Sequence, residues 1–452
     1  MYVSVLRSES SVSPVEKQRS RLGPQRAEPG MSASWAIVGD ETGLVKVVDI
    51  VGKSYLSHGE QTRQNSVEGL CWTGGGSAAG EFASVHKTGA VATWRATLGA
   101  GSEHELTMVG QPTDTNVAEP LGLVPIQKDA PSSSSSLLCC YGAQGAVSLI
   151  SVANASSSAS QGLKIVSSFN VKGPLSACET CLGGGFACGG RDNDLKLYDA
   201  TTKQAVWEGK NVPHDSLRMR VPIWITAVGF MRPGQDSVSG AQIVTGTGYK
   251  HVRIYDTLAN RQPVMSIDVG DFRVTAILPR AGSEHAVFVA DTSGAILLWD
   301  VRANRRLATL NGCAGSVRSM RSNASGSAVA VVGLDRFLRK FDTTTNRLSS
   351  SVYLKNRLNC CLFVDDSTGA ASRKRTRTEG SDDEYEYDDG GAASDSDEDP
   401  DFEEGDEHDR IVELHVGDET GDADDDEEEE SSGEDQKKVK QAHSKKGRGK
   451  RS

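Results

Sequence analysis

GLVKVVD, residues 43–49, decides the reading of this chain, because the same seven-residue pattern returns six more times without a gap. The others are GAVATWR (89–95), GAVSLIS (145–151), NDLKLYD (193–199), KHVRIYD (250–256), GAILLWD (294–300) and RFLRKFD (336–342). The third position is apolar in all seven, from Val45 to Leu338, and the sixth is apolar or aromatic, from Val48 to Phe341. Successive segments end 46, 56, 48, 57, 44 and 42 residues apart. Self-similarity at about 40–45 residues is the period of WD-type propeller blades. The second and fourth intervals then carry longer loops.

Each segment follows an apolar run and a tight turn, as in AIVGDETG (36–43) and AVAVVGLDR (328–336). Gly, Asp and Asn in those turns give the backbone freedom a hairpin requires. Most units add an earlier run, such as WITAVGF (224–230), and a looser later one, such as RLATLNG (306–312). Four short strands per unit predict an all-β, seven-bladed propeller over residues 31–366, because blades stacked in a ring bury faces that no single sheet can hide. The first unit, from Trp35, lacks an inner strand, whereas the last overruns by one apolar stretch, LNCCLFV (358–364). That stretch is expected to complete the first blade and close the ring.

Charge divides the chain. Residues 379–435 hold 30 acidic side chains and one base, Arg410, whereas residues 436–452 hold eight bases and no acid. Residues 1–372 carry 36 bases against 31 acids, so the formal charge of −12 belongs to the tail and the body is mildly basic. Acid blocks with few aromatics cannot bury enough apolar surface to offset ordering entropy, so residues 367–452 are expected to be disordered. Within them IVELHV (411–416) reads either as an accidental apolar patch or as a docking segment that adds to a partner's sheet edge. Residues 1–30, rich in Ser, Arg and Pro, read as a disordered extension or as an upstream start ahead of Met31. They lack a signal-peptide apolar region, and no apolar run approaches the ~18 residues of a spanning helix. Nine cysteines, with adjacent pairs at 139–140 and 360–361 inside apolar runs, predict buried free thiols and a reducing compartment.

Most candidate chemistry is weak. Gly246-Thr247-Gly248 opens like a dinucleotide fingerprint, but His251 occupies the third glycine position and the segment lies between strands, with no helix to aim amides at phosphate. Cys178, Cys181 and Cys188 have partial zinc spacing without a nearby fourth ligand. No local grouping of nucleophile, base and acid is present. The reading is therefore a binding protein with no cofactor, no metal, no small-molecule substrate and no membrane partner.

The informative segment is KNVPHDSLRMRVP (210–222), which joins two blades and carries Lys210, His214, Asp215, Arg218 and Arg220 between Pro213 and Pro222. In a four-stranded blade this connection and the turn between the second and third strands emerge on one rim. That rim is expected to carry also Arg191, Asp192, Tyr249, Lys250, Asp335 and Arg336. Arginine suits a contact surface because its planar fork bonds phosphate or carboxylate in pairs.

GGRDNDLKLYD (189–199), GKNVPHDSLRMRVPIWITAVGF (209–230), TGTGYKHVRIYD (245–256), GLDRFLRKFD (333–342) and YLKNRLNCCLF (353–363) resemble the WD repeat-containing protein 74 family and its fungal counterpart. The resemblance covers roughly residues 31–364 and is most specific in the Asn-Val-Pro to Arg-Val-Pro-Ile-Trp stretch. It implies a non-catalytic nucleolar scaffold that binds pre-60S precursors of the large ribosomal subunit, through assembly factors and pre-rRNA, supports rRNA processing and is released by an AAA-type ATPase. It also implies partner-binding roles for Arg218, Arg220, Tyr249, Arg253, Asp335, Arg336 and Lys355. The basic ends of the tail fit nuclear and nucleolar targeting. The alternative is a chromatin propeller whose acidic tail holds basic histone segments.

Overall fold

The computed structural model describes residues 34–364 apart from 74–79, 99–103, 110–111, 127–134, 154–161, 182 and 233–239. The N-terminal extension, the acidic tail and its segment 411–416 lie outside the described residues.

Each of the seven repeated segments forms the third strand of an antiparallel sheet, four-stranded in six blades and five-stranded in blade 2, from Val45–Asp49 in blade 1 to Phe337–Asp342 in blade 7. The β-branched and aromatic residues at positions three and six sit on pleated faces that neighbouring blades cover. From blade 1 to blade 7 the inner strands are Leu358–Val364, Val67–Trp72, Pro120–Ile126, Ala177–Thr180, Ile225–Arg232, Val274–Pro279 and Val317–Ser322. In blade 2 the outer position is shared by His104–Met108 and Thr113–Asp114, both paired with Ala90–Leu98. That split outer edge accounts for part of the long second interval.

Seven hydrophobic clusters form the core, one at every interface between neighbouring blades, including that of blade 7 with blade 1. The ring is therefore closed by packing as well as by pairing. Leu358–Val364 lies antiparallel to Trp35–Asp40, with Trp35 opposite Val364 and Ile37 opposite Leu362. Period-two alternation sends Cys361 and Phe363 toward blade 7, and Cys360, Leu362 and Val364 toward blade 2, while a bulge at Asn359 turns Leu358 to the blade 7 side. All nine cysteines are free and eight are buried. Cys178 and Cys188 are cross-strand partners within the apolar core of blades 3 and 4, where burial pushes the Cys188 thiol up to about 12.

The inner strands bulge at the same place in six blades. The ladder skips Asn359, Glu68, Leu121, Thr226, Thr275 and Arg318. A bulge re-aims the side chain it carries, and all six residues line the central channel.

Candidate functional site

The rim predicted from the repeat is built on one recurring device. Position four of the repeated segment is a buried base in four blades: Lys46, Lys196, Arg253 and Arg339. Each reaches a polar partner that ties the third strand to the connection arriving from the previous blade. Lys46 pairs with Asp40 at 2.9 Å and donates to Leu354 O at 2.8 Å. Lys196 donates to Asn193 Oδ1 at 2.8 Å, and the Asn193 amide donates to Lys172 O and Pro174 O. Arg339 pairs with Asp335, which also accepts from the Ala314 amide. In blade 3 the position is Ser148, whose hydroxyl donates to Thr115 O at 2.9 Å. Blade 2 uses a different chain to the same end. Trp94 Nε1 donates to Ser84 Oγ, which bonds His86 Nε2, and His86 Nδ1 meets Asn65 O at 3.2 Å.

Arg253 follows this pattern, and the expectation for it needs correcting. It is only 2% exposed, and its Nη1 donates to Asn211 Oδ1 at 2.8 Å. Asn211 in turn donates through Nδ2 to Val221 O at 2.6 Å, pinning both legs of the connection between blades 4 and 5. A side chain so enclosed braces the loop and offers almost no surface for contact. Asp335 has a similar position, held by Arg339 and by the amides of Ala314 and Phe337.

Beyond those pinned legs the connection projects as a finger, and residues 213–220 are all exposed. Asp215 shapes its tip: Oδ1 accepts from the Leu217 and Met219 amides at 3.0 and 2.8 Å, and the Asp215 and Arg218 amides complete the turn. Arg218 adopts φ 60°, a left-handed conformation that this bonding holds in place. The tip therefore presents Arg218 and Arg220 interleaved with Leu217, 73% exposed, and Met219, 57% exposed. The sequence reading named the arginines and missed the two apolar side chains. Their alternation with Arg218 and Arg220 was the available signal. Lys210 is exposed, but its amide donates to Arg261 O, in the turn at the opposite end of blade 5. It belongs to the flank and departs from the predicted rim group.

The remaining predicted residues fall into two places. Arg336 and Lys355 line a cleft of about 470 Å³ between the rim turns of blades 7 and 1, together with Arg63 and Glu41. Arg63 was not anticipated from the sequence, because its place follows from ring closure. Tyr249 lies with the finger side of the ring, its ring edge on Trp224 at 6.3 Å. Trp224 also carries the guanidiniums of Arg191 and Arg273, at 5.6 and 5.0 Å from its centroid. Arg191 comes from the rim turn of blade 4, and Arg273 immediately precedes the inner strand of blade 6.

Within the rim, the channel has a volume of about 430 Å³. Farther in, Glu179 of blade 4 and Arg321 of blade 7 both line it. Burial alone would lower the Arg321 pKa, but the negative charge of Glu179 raises it, so the guanidinium stays charged. Among the described residues no three His, Cys, Asp or Glu side chains group to hold a metal ion, and no helix is long and apolar enough to cross a membrane.

This architecture defines a seven-bladed WD-type β-propeller with a braced, basic and partly apolar rim. Sequence comparison places it near a particular group: it is 39% identical over 179 residues to WD repeat-containing protein 74 of Homo sapiens, covering 39% of this chain and 45% of that protein. It is 31% identical over 212 residues to ribosome biogenesis protein nsa1 of Schizosaccharomyces pombe, covering 40% of this chain and 53% of that one. The chain thus spans about half the length of these curated relatives. No protein-family model matches. Among solved structures, the WD40 β-propeller domain of Doa1 aligns at a TM-score of 0.47 and 14% identity, covering 73% of this chain and 88% of that one.

Proposed function

We propose that this protein is a non-catalytic scaffold in large-ribosomal-subunit assembly, docking on pre-60S particles through the finger between blades 4 and 5. The observation that carries the docking is the finger's combination of exposure and order. Leu217 and Met219 stand in solvent on a turn fixed by Asp215, Asn211 and Arg253. An exposed apolar pair ringed by arginines fits an interface core with a charged rim, and pre-ordering removes much of the entropy cost of docking. The similarity to nsa1, a ribosome biogenesis protein, supports assembly as the setting. Nuclear and nucleolar residence, rRNA processing and release by an AAA-type ATPase belong to the same reading, as does a propeller domain spanning 31–366.

The test is affinity purification of tagged full-length chain carrying Leu217→Ser with Met219→Ser, or Arg218→Glu with Arg220→Glu. Both pairs are exposed, so circular dichroism should match wild type while large-subunit precursors are lost from the eluate. Undiminished recovery of precursors by both variants refutes the finger as the contact.

A further inference from the structure

We infer that the rim-side channel mouth is a platform for single-stranded RNA, built on Trp224. This deepens the assembly reading by naming a partner class, and rests on it for the presence of RNA.

The mouth is unlike the finger. Trp224 is half-buried, and the Gly248 backbone packs so closely on its indole that an added Cβ would overlap the ring. The Gly248 amide donates to Trp224 O at 2.8 Å, and the Asp192 amide to Ile223 O at 2.9 Å. The ring is thus a fixed pedestal, and Arg191 and Arg273 lie over it with their side chains exposed. A third exposed guanidinium, Arg318, reaches the same mouth because the inner strand of blade 7 bulges there. Among the described residues none of these three arginines lies within ion-pair distance of a carboxylate, whereas Lys250 nearby is paired with Asp268 at 3.1 Å.

Three exposed guanidiniums with no carboxylate at ion-pair distance among the described residues, set around one mouth, offer donors to an anion. Two features favour a nucleotide chain over an acidic peptide. Tyr249 and Phe272 stand exposed on the same turns, Phe272 at 53%, and offer rings on which unpaired bases stack. Guanidiniums placed over an indole and open to solvent also keep N–H donors for phosphate oxygens. A duplex would shield its bases from those rings. Glu68, Asp192 and Asp271 share the mouth with the arginines, and farther in Arg321 is answered by Glu179, so a polyanion finds its unpaired cations across the mouth.

The experiment is fluorescence anisotropy with the full-length protein and a labelled single-stranded RNA of about 12 nucleotides. A duplex RNA of equal length and poly-glutamate serve as competitors. Arg191→Gln with Arg273→Gln should weaken single-strand binding by about tenfold or more and reduce the salt slope by about 1.4, the loss of two phosphate contacts. Phe272→Ala should weaken the single strand and leave duplex binding unchanged. Equal competition by poly-glutamate or duplex overturns the proposal, as does unchanged affinity and salt slope in the arginine variant. No particle enters these measurements, so their failure leaves the finger reading intact, and failure of the finger leaves them intact.

Discussion

Replacing Asp40 by alanine removes the acceptor at the point where the ring is sealed. Asp40 Oδ1 accepts from the Thr42 amide and hydroxyl and from the Leu44 amide, each at 2.9 Å. Oδ2 accepts from Lys46 at 2.9 Å and from Asn356, on the approach to the closing strand, at 2.8 Å. Lys46 is 2% exposed and Asp40 fully buried. Alanine would leave a buried ammonium bonded to Leu354 O but without its counter-charge. Breaking a buried pair in this way costs about 3–5 kcal/mol, because the orphaned charge keeps its desolvation penalty. The assay is urea denaturation of Asp40→Ala, Lys46→Met and the double variant. Removing both charges takes away the orphan, so the double variant should be more stable than Asp40→Ala alone by about 1–3 kcal/mol. The pH dependence has a definite sign. Burial raises the Asp40 pKa, but the Lys46 charge and the Lys46, Asn356 and Leu44 hydrogen bonds outweigh it and hold it below its ordinary 3.8. A depressed acid stabilises the fold above its unfolded pKa, and that stability is lost as pH falls through the folded one. Asp40→Ala should therefore show a shallower acid-side decline than wild type. A loss under about 1 kcal/mol, or a double variant no better than the single, refutes the reasoning.

Other outcomes follow from the same packing. Deleting residues 358–364 removes the burial of Leu358, Leu362, Phe363 and Val364, at about 1.5–3 kcal/mol each, against a usual total stability of roughly 5–15 kcal/mol. The truncated chain should lose its cooperative thermal transition, and a wild-type transition would contradict closure by this strand. Gly248→Ala should destabilise by about 1–3 kcal/mol through overlap with Trp224, read by chemical denaturation, with no change expected if that ring is free to move. Burial lowers the His86 pKa below its ordinary 6.5 against the hydrogen bond to Asn65 O. The unfolded chain then binds more protons between the two values, so stability falls as pH drops below about 6.5. NMR titration should place the His86 midpoint below 6.5, and a midpoint above it would count against the buried Ser84–His86–Trp94 chain.

The blades were legible because positions three and six of the repeat face neighbouring blades, and burial forces them to be apolar whatever else changes. The closing strand was legible for the same reason, an apolar run left over at one end and a missing strand at the other. The rim was only partly so. Arg253 reads as a surface base until position four is compared across blades. There Lys46, Lys196 and Arg339 show the same buried bracing role, a column that alternation alone does not flag. Leu217 and Met219 were passed over because their alternation with Arg218 and Arg220 spans only four residues of a loop, too short to mark a strand. The meeting of Arg63 with Arg336 and Lys355 depends on ring closure, and the place of Arg318 at the channel mouth depends on a one-residue bulge. Neither leaves a local trace in the chain.

The central claim, a ring that serves ribosome assembly through its rim, is tested most directly by sedimenting tagged wild-type protein from nuclear extract through a sucrose gradient. RNA and protein are identified in each fraction. The account predicts co-migration with large-subunit precursors and their pre-rRNA. Accumulation with nucleosomes, or free protein at the top of the gradient, would contradict it.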